Sequence, residues 1–232
     1  MTPLDLRAQL EHDLTWRLDE LRHLRNLLTY EEKEDLRREL RKAIIVMLYA
    51  HFEGFCKVAF QSYVSAVNAL SRPRRDVNKH LRASAMAGTF RAYDNRDRKN
   101  KVFKNDLPDD TKLHRYSRQV DFLEELDEFL DAVTAIDPDL VVDTKSNLEP
   151  VVLRTILFRL GLAPDSFSSR DGAIRRLLGW RNAVAHGDRK NGFTKAELSD
   201  VWDVAVAVMR EALQLVFEAF RDGAHLQPAP GP

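Results

Sequence analysis

The stretch from about residue 34 to 70 constrains this chain most. Between 43 and 60 it reads Ala-Ile-Ile-Val-Met-Leu-Tyr-Ala-His-Phe-Glu-Gly-Phe-Cys-Lys-Val-Ala-Phe, apolar nearly all round at helical spacing. A helix without a polar face has to be wrapped by other helices. His51, Glu53 and Lys57 interrupt it, so it reads as the core helix of a bundle and not as a membrane span. Five other segments carry helical signals. Leu10, Leu14, Leu18, Leu21, Leu24 and Leu28 recur at three- and four-residue steps. Residues 119–136 form an acidic amphipathic segment, and 148–160 follow Ser146 and Asn147 as cap candidates and precede Gly161. Another runs from a Ser168 or Ser169 cap to about His186, with Gly187 beyond it. The last opens on the capping box Thr194-Lys195-Ala196-Glu197 and runs to Gly223. Residues 140–143 are the one short strand candidate. The expected fold is all-α.

With 232 residues, 44% apolar and 31% charged, the chain is large enough for one core and too apolar for disorder. We expect a single helical domain over 1–223, with a basic, partly irregular insertion at 71–118 and a disordered Pro/Gly-rich tail at 224–232. The single cysteine, Cys56, excludes a disulfide framework and a four-thiolate zinc site. It fits a reducing cytoplasm, as does the lack of a secretory leader pattern at the start. Lys+Arg and Asp+Glu both number 36, which excludes gripping a polyanion by bulk charge. The charge is nevertheless polarised. Residues 71–118 hold fourteen Lys/Arg against six acids, a net +8; residues 119–143 hold nine acids and no Lys/Arg, a net −9. Arg72, Arg74, Arg75, Arg96, Arg98, Lys99 and Lys101, interleaved with Phe90, Tyr93, Phe103 and Tyr116, are candidates for an RNA-binding rim. Equally, the insertion can spend its charge on the acidic segment next door.

The strongest site candidate is Trp180-Arg181-Asn182-Ala183-Val184-Ala185-His186-Gly187. On a helical wheel Ile174, Leu177, Leu178, Val184 and Ala185 form one apolar arc, with Arg181 in its middle. A guanidinium there demands an anion, either an internal carboxylate or a phosphate from outside. His186 closes the helix at the negative end of the macrodipole, a useful place for a proton donor. On an ideal helix Arg181 and His186 lie on different faces, so they meet only if the helix ends between them or across two copies of the chain. Asn182, one turn before His186, is placed to orient its ring or a substrate oxygen. An arginine and a histidine suffice for transesterification at an RNA phosphodiester: the histidine moves protons and the arginine holds charge on the phosphorane. The nucleophile is the substrate's own 2′-OH, so no metal or cofactor is required.

Spacing alone does not make the case, since Arg7/His12 and Arg75/His80 share it. The context does. Arg181-Asn182-Ala183-Val184-Ala185-His186-Gly187 resembles the R-N-x-x-A-H-G motif of the HEPN superfamily, all-α proteins that include many ribonucleases. Leu48-Tyr49-Ala50-His51-Phe52-Glu53-Gly54-Phe55 resembles the W-E-G-[YF] signature of its MAE-type bacterial branch, with Phe52 in place of the tryptophan. Ser146-Asn147-Leu148, Ile156-Leu157 and Leu160-Gly161-Leu162 are similar to that branch's middle segment. The resemblance implies a metal-independent endoribonuclease of toxin–antitoxin or antiviral systems. It implies Arg181 and His186 as catalytic residues, Asn182 in support, and a composite site built by a homodimer. Asp188 stands where AMPylation-controlled HEPN toxins carry tyrosine, so that control is not expected. Glu53 has two readings: a partner of Arg181 or His186, or a local pair with Lys57. The rival to an enzyme is a non-catalytic helical module that binds nucleotide, RNA or protein, such as an antitoxin-like or sensor partner. His51-Phe52-Glu53 lacks the P-C-x-x-C companion of zinc deaminases, and no glycine-rich phosphate loop occurs.

Overall fold

A computed structural model describes residues 1–108 and 111–228. Ten α-helices occur among these residues, with two isolated bridges and no strand. The long apolar helix, α2 (Glu34–Ala69), runs through the centre, and its Ile45, Leu48, Phe52, Phe55 and Phe60 are buried. Three helices wrap it. α1 (Pro3–Tyr30) contributes Leu6, Leu10, Leu14 and Leu21. α9 (Asp171–Ala185) contributes Ile174, Leu177 and Leu178. α10 (Lys195–Arg221) contributes Val201, Ala205, Val208, Ala212 and Val216. Each large apolar side chain sealed this way contributes about 1.5–3 kcal/mol. By length and composition α2 alone passes for a membrane span, but 56% of that window is packed inside the protein.

The remaining helices cover one end of the bundle: α3 (Lys79–Ala85), α4 (Ala87–Asp94), α5 (Lys112–Glu124), α6 (Leu126–Asp131), α7 (Pro138–Val141) and α8 (Pro150–Leu160). The acidic segment expected over 119–136 is two helices. α5 starts earlier, after a Thr111 cap, and ends at Glu124 with Glu125 as its C-cap; α6 stops at Asp131. Beyond it the chain is extended, because Asn68 fixes the Ile136 peptide with its amide at both N–H and C=O. The strand candidate at 140–143 forms no strand: Leu140 and Val141 end the short helix α7, begun by the Asp137 side chain and Pro138, and Val142 and Asp143 follow it. Ser146 and Asn147 do not cap α8, which starts at Pro150 after Glu149. Gly161 does close it, at φ +73°.

The basic insertion spends part of its charge on the acidic helices. Arg75 pairs with Asp131 at 2.6 Å and Asp127 at 3.7 Å, and Arg98 with Asp121 at 3.1 Å. Arg74 donates to the Phe129 carbonyl, and Arg82 to the carbonyls of Arg74, Arg75 and Val77. The tail is ordered further than expected. The His225 carbonyl accepts from Asn78 N–H, Leu226 bridges Val77, and Gln227 N–H reaches the Asp76 carbonyl. Buried His225 stacks on Phe220. Residues 229–232 of the expected tail lie outside the described residues.

Candidate active site

α2 supplies the floor of the site. Tyr49 and Glu53 are one turn apart, and the buried Tyr49 ring lies under the Arg181 guanidinium, 4.7 Å from ring centre to Cζ. The Tyr49 hydroxyl accepts a 2.7 Å hydrogen bond from Leu148 N–H and interacts with the Glu53 carboxylate. Burial, reinforced by Glu53, pushes the phenol well above its ordinary pKa, so it stays protonated. One wall is the loop before α8, where Lys145 and Ser146 are both in the left-handed region, at φ +53° and +55°. That conformation costs non-glycine residues about 1–2 kcal/mol each. It accompanies the aiming of two backbone groups at the site: Ser146 C=O towards Arg181 and Leu148 N–H towards Tyr49.

Arg181, half-buried on α9, donates from Nη1 to Asn182 Oδ1 at 2.7 Å and from Nη2 to Ser146 O at 3.2 Å. No carboxylate of the described residues lies within ion-pair distance of it. Of the two anions expected for the apolar arc, the internal carboxylate is not found among the described residues; two neutral oxygens and an aromatic face hold the guanidinium without neutralising it.

His186 caps the C-terminus of α9, its N–H bonded to Asn182 O at 2.9 Å. Gly187, at φ +76°, turns the chain, and Arg189 N–H reaches back to the Ala183 carbonyl. The His186 side chain is exposed and makes no hydrogen bond or ion pair among the described residues. Among the described residues no side-chain hydrogen bond or ion pair joins it to Arg181. The Asn182 side chain makes no hydrogen bond to the His186 ring among the described residues; its oxygen accepts from Arg181. Lys57 pairs with Asp139 at 3.2 Å and not with Glu53, whose carboxylate influences the Tyr49 hydroxyl. Tyr49 is the site residue that sequence reading missed. Its signal was the i, i+4 relation to Glu53 on an apolar helix.

Other candidates lie elsewhere. His51 sits between α1 and α2, 4% exposed, with Nε2 3.1 Å from Glu20 and its ring edge-on to Trp16. Cys56 is buried and its thiol is pushed up to about 12, which leaves it a packing residue. Phe90, Tyr93 and Tyr116 come together with Phe122 in an apolar groove of about 460 Å³, whereas Phe103 does not join them. Tyr93 also borders a pocket lined by Arg96, Arg115 and Arg118 against the one acid Asp94. Lys101 is exposed, Arg96 and Lys99 make interactions of their own, and the Arg72 carbonyl is bonded to Thr134.

The family described as RiboL-PSP-HEPN matches residues 12–216. The superfamily resemblance is thereby borne out, under that family's label and not that of the MAE-type branch. No curated protein and no solved structure matches the chain.

Proposed function

The chain belongs to the RiboL-PSP-HEPN family, and from that premise we propose that it is a metal-independent endoribonuclease. The observation that carries the reading is the state of Arg181: half-buried, held by Asn182, Ser146 and the Tyr49 ring, with its charge not consumed by a carboxylate. A guanidinium held this way is prepared for a phosphate, and its orientation is set before the substrate arrives. The 2′-OH attacks the adjacent phosphorus as its proton leaves; the O5′ bond breaks, and O5′ takes a proton. Products are a 2′,3′-cyclic phosphate and a 5′-OH end. His186, exposed at the end of α9, is the proton carrier. Arg181 steadies the charge on the non-bridging oxygens. Asn182, Tyr49 and Glu53 are positioning residues.

Arg181 faces inwards onto α2 and His186 outwards, so the active unit is a homodimer in which the arginine of one chain works with the histidine of the other. Single-stranded or loop RNA is the substrate class. The Phe90/Tyr93/Tyr116 groove and the neighbouring cationic pocket suit unpaired bases and their phosphates. The setting we infer is cytoplasmic, in a toxin–antitoxin or antiphage system, with an antitoxin or another defence protein as further partner.

The test is cleavage of labelled RNA in EDTA by wild type and by His186→Ala. Cleavage by wild type alone, leaving cyclic-phosphate ends, is the expected result. Turnover that His186→Ala leaves unchanged sinks the mechanism.

A further inference from the structure

A second cationic cavity lies apart from Arg181, where the end of α1 meets the first turns of α2 and α10. It measures about 430 Å³, and its charged lining residues are Arg25, Arg37, Arg41 and Lys195, with none acidic. Trp202 forms one wall, under the Arg25 guanidinium at 5.0 Å. Arg41 is unusual: only 6% exposed, it donates through Nη1 to Glu34 and to the Phe193 carbonyl. Its Nη2 makes no hydrogen bond among the described residues, and its buried Nε has no partner. Glu34 is the acid facing this cluster. It is half-exposed and shared among Arg37, Arg38 and Arg41. Four cations set against one shared carboxylate leave the cavity short of negative charge. Burying an arginine with unused donors is costly unless an anion completes it.

We propose that this cavity binds the phosphate groups of a nucleotide, with the buried Arg41 at the base and Arg25, Arg37 and Lys195 around the rim. The cavity also has a line to the active site. The Phe193 carbonyl held by Arg41 belongs to the loop that follows His186, and the Phe193 ring packs on Trp180 and under Arg189. A bound phosphate that draws on Arg41 therefore acts on the loop closing α9. The phosphate can belong to a free nucleotide or to an RNA end, and the two are separable by experiment.

Binding is read from tryptophan fluorescence, with Trp202→Phe showing which part of the signal belongs to the cavity. The probes are pyrophosphate, ATP and a short 5′-phosphorylated RNA, each titrated onto the full-length protein. Saturable binding is expected, weaker at high salt and at least about tenfold weaker in the Arg37→Ala/Lys195→Ala double variant, whose side chains are nearer the surface than Arg41. Pyrophosphate or ATP binding assigns a regulatory nucleotide; binding of the phosphorylated RNA alone assigns an RNA-end subsite. No saturable binding of any probe, or affinity untouched by the double variant, overturns the site. Because the readout is binding, an inactive nuclease does not affect the outcome.

Discussion

Tyr49 is the residue whose chemistry is least replaceable. Its hydroxyl is the partner of a buried N–H, that of Leu148, and its ring supports Arg181. Tyr49→Phe keeps the ring and strands the N–H, so it should cost about 1–3 kcal/mol in urea denaturation. It should also lower cleavage less than Arg181→Ala does, because the guanidinium keeps its platform. Gly54, next to Glu53, has a packing explanation: a Cβ there meets the Arg17 guanidinium of α1 at 2.7 Å. His51 and His225 make a pH prediction. Burial lowers both below the ordinary 6.5, so the unfolded chain binds more protons than the folded one. Their contribution is full above that value and is lost as pH falls through it. The Tm should therefore drop between pH 7 and pH 5, and His51→Gln should flatten part of the slope. A Tm that rises on acidification contradicts this assignment.

Whole elements depend on a few polar side chains. Thr194 accepts from Glu197 N–H while Glu197 accepts from Thr194 N–H, and the same carboxylate holds Arg189 at 2.6 Å. Thr194→Ala should cost about 1 kcal/mol of stability, measured by chemical denaturation. It should also loosen the loop after His186, seen as faster amide exchange at residues 187–193. This cap was legible from four consecutive residues, as were the central place of α2 and the glycine closures at Gly161 and Gly187. Local signals and apolar periodicity announce themselves in sequence. The start of α8 did not, because Ser146 and Leu148 serve a distant tyrosine and arginine, and no local pattern encodes that. The extended run before Asp137 was hidden for the same reason: Asn68, far off in sequence, fixes the chain at Ile136. Within the site, Arg181, Asn182 and His186 stood out by motif. The real partner of Asn182 depended on a side-chain direction that a wheel does not give.

At the scale of the whole molecule, the balance of charges is local: a basic insertion clamped onto acidic helices. Arg75, paired with two carboxylates, should behave as a structural residue, its removal changing stability more than RNA affinity. The proposed mechanism needs Arg181 and His186 to cooperate although one turns inwards and the other lies exposed. In a twofold dimer the ends of the two α9 helices can face each other, so that each Arg181 serves the partner subunit's histidine. Mixing decides this. Arg181→Ala and His186→Ala chains are each inactive alone in the proposed mechanism. Unfolded together and refolded, they form mixed dimers about half the time, and each mixed dimer keeps one intact pair of two. A composite site should therefore recover about a quarter of wild-type cleavage, whereas pairs formed within one chain recover none. The recovered activity should also follow the mixed-dimer fraction as the ratio of the two variants is changed, peaking at equal amounts. Refolding artefacts have no reason to follow that curve.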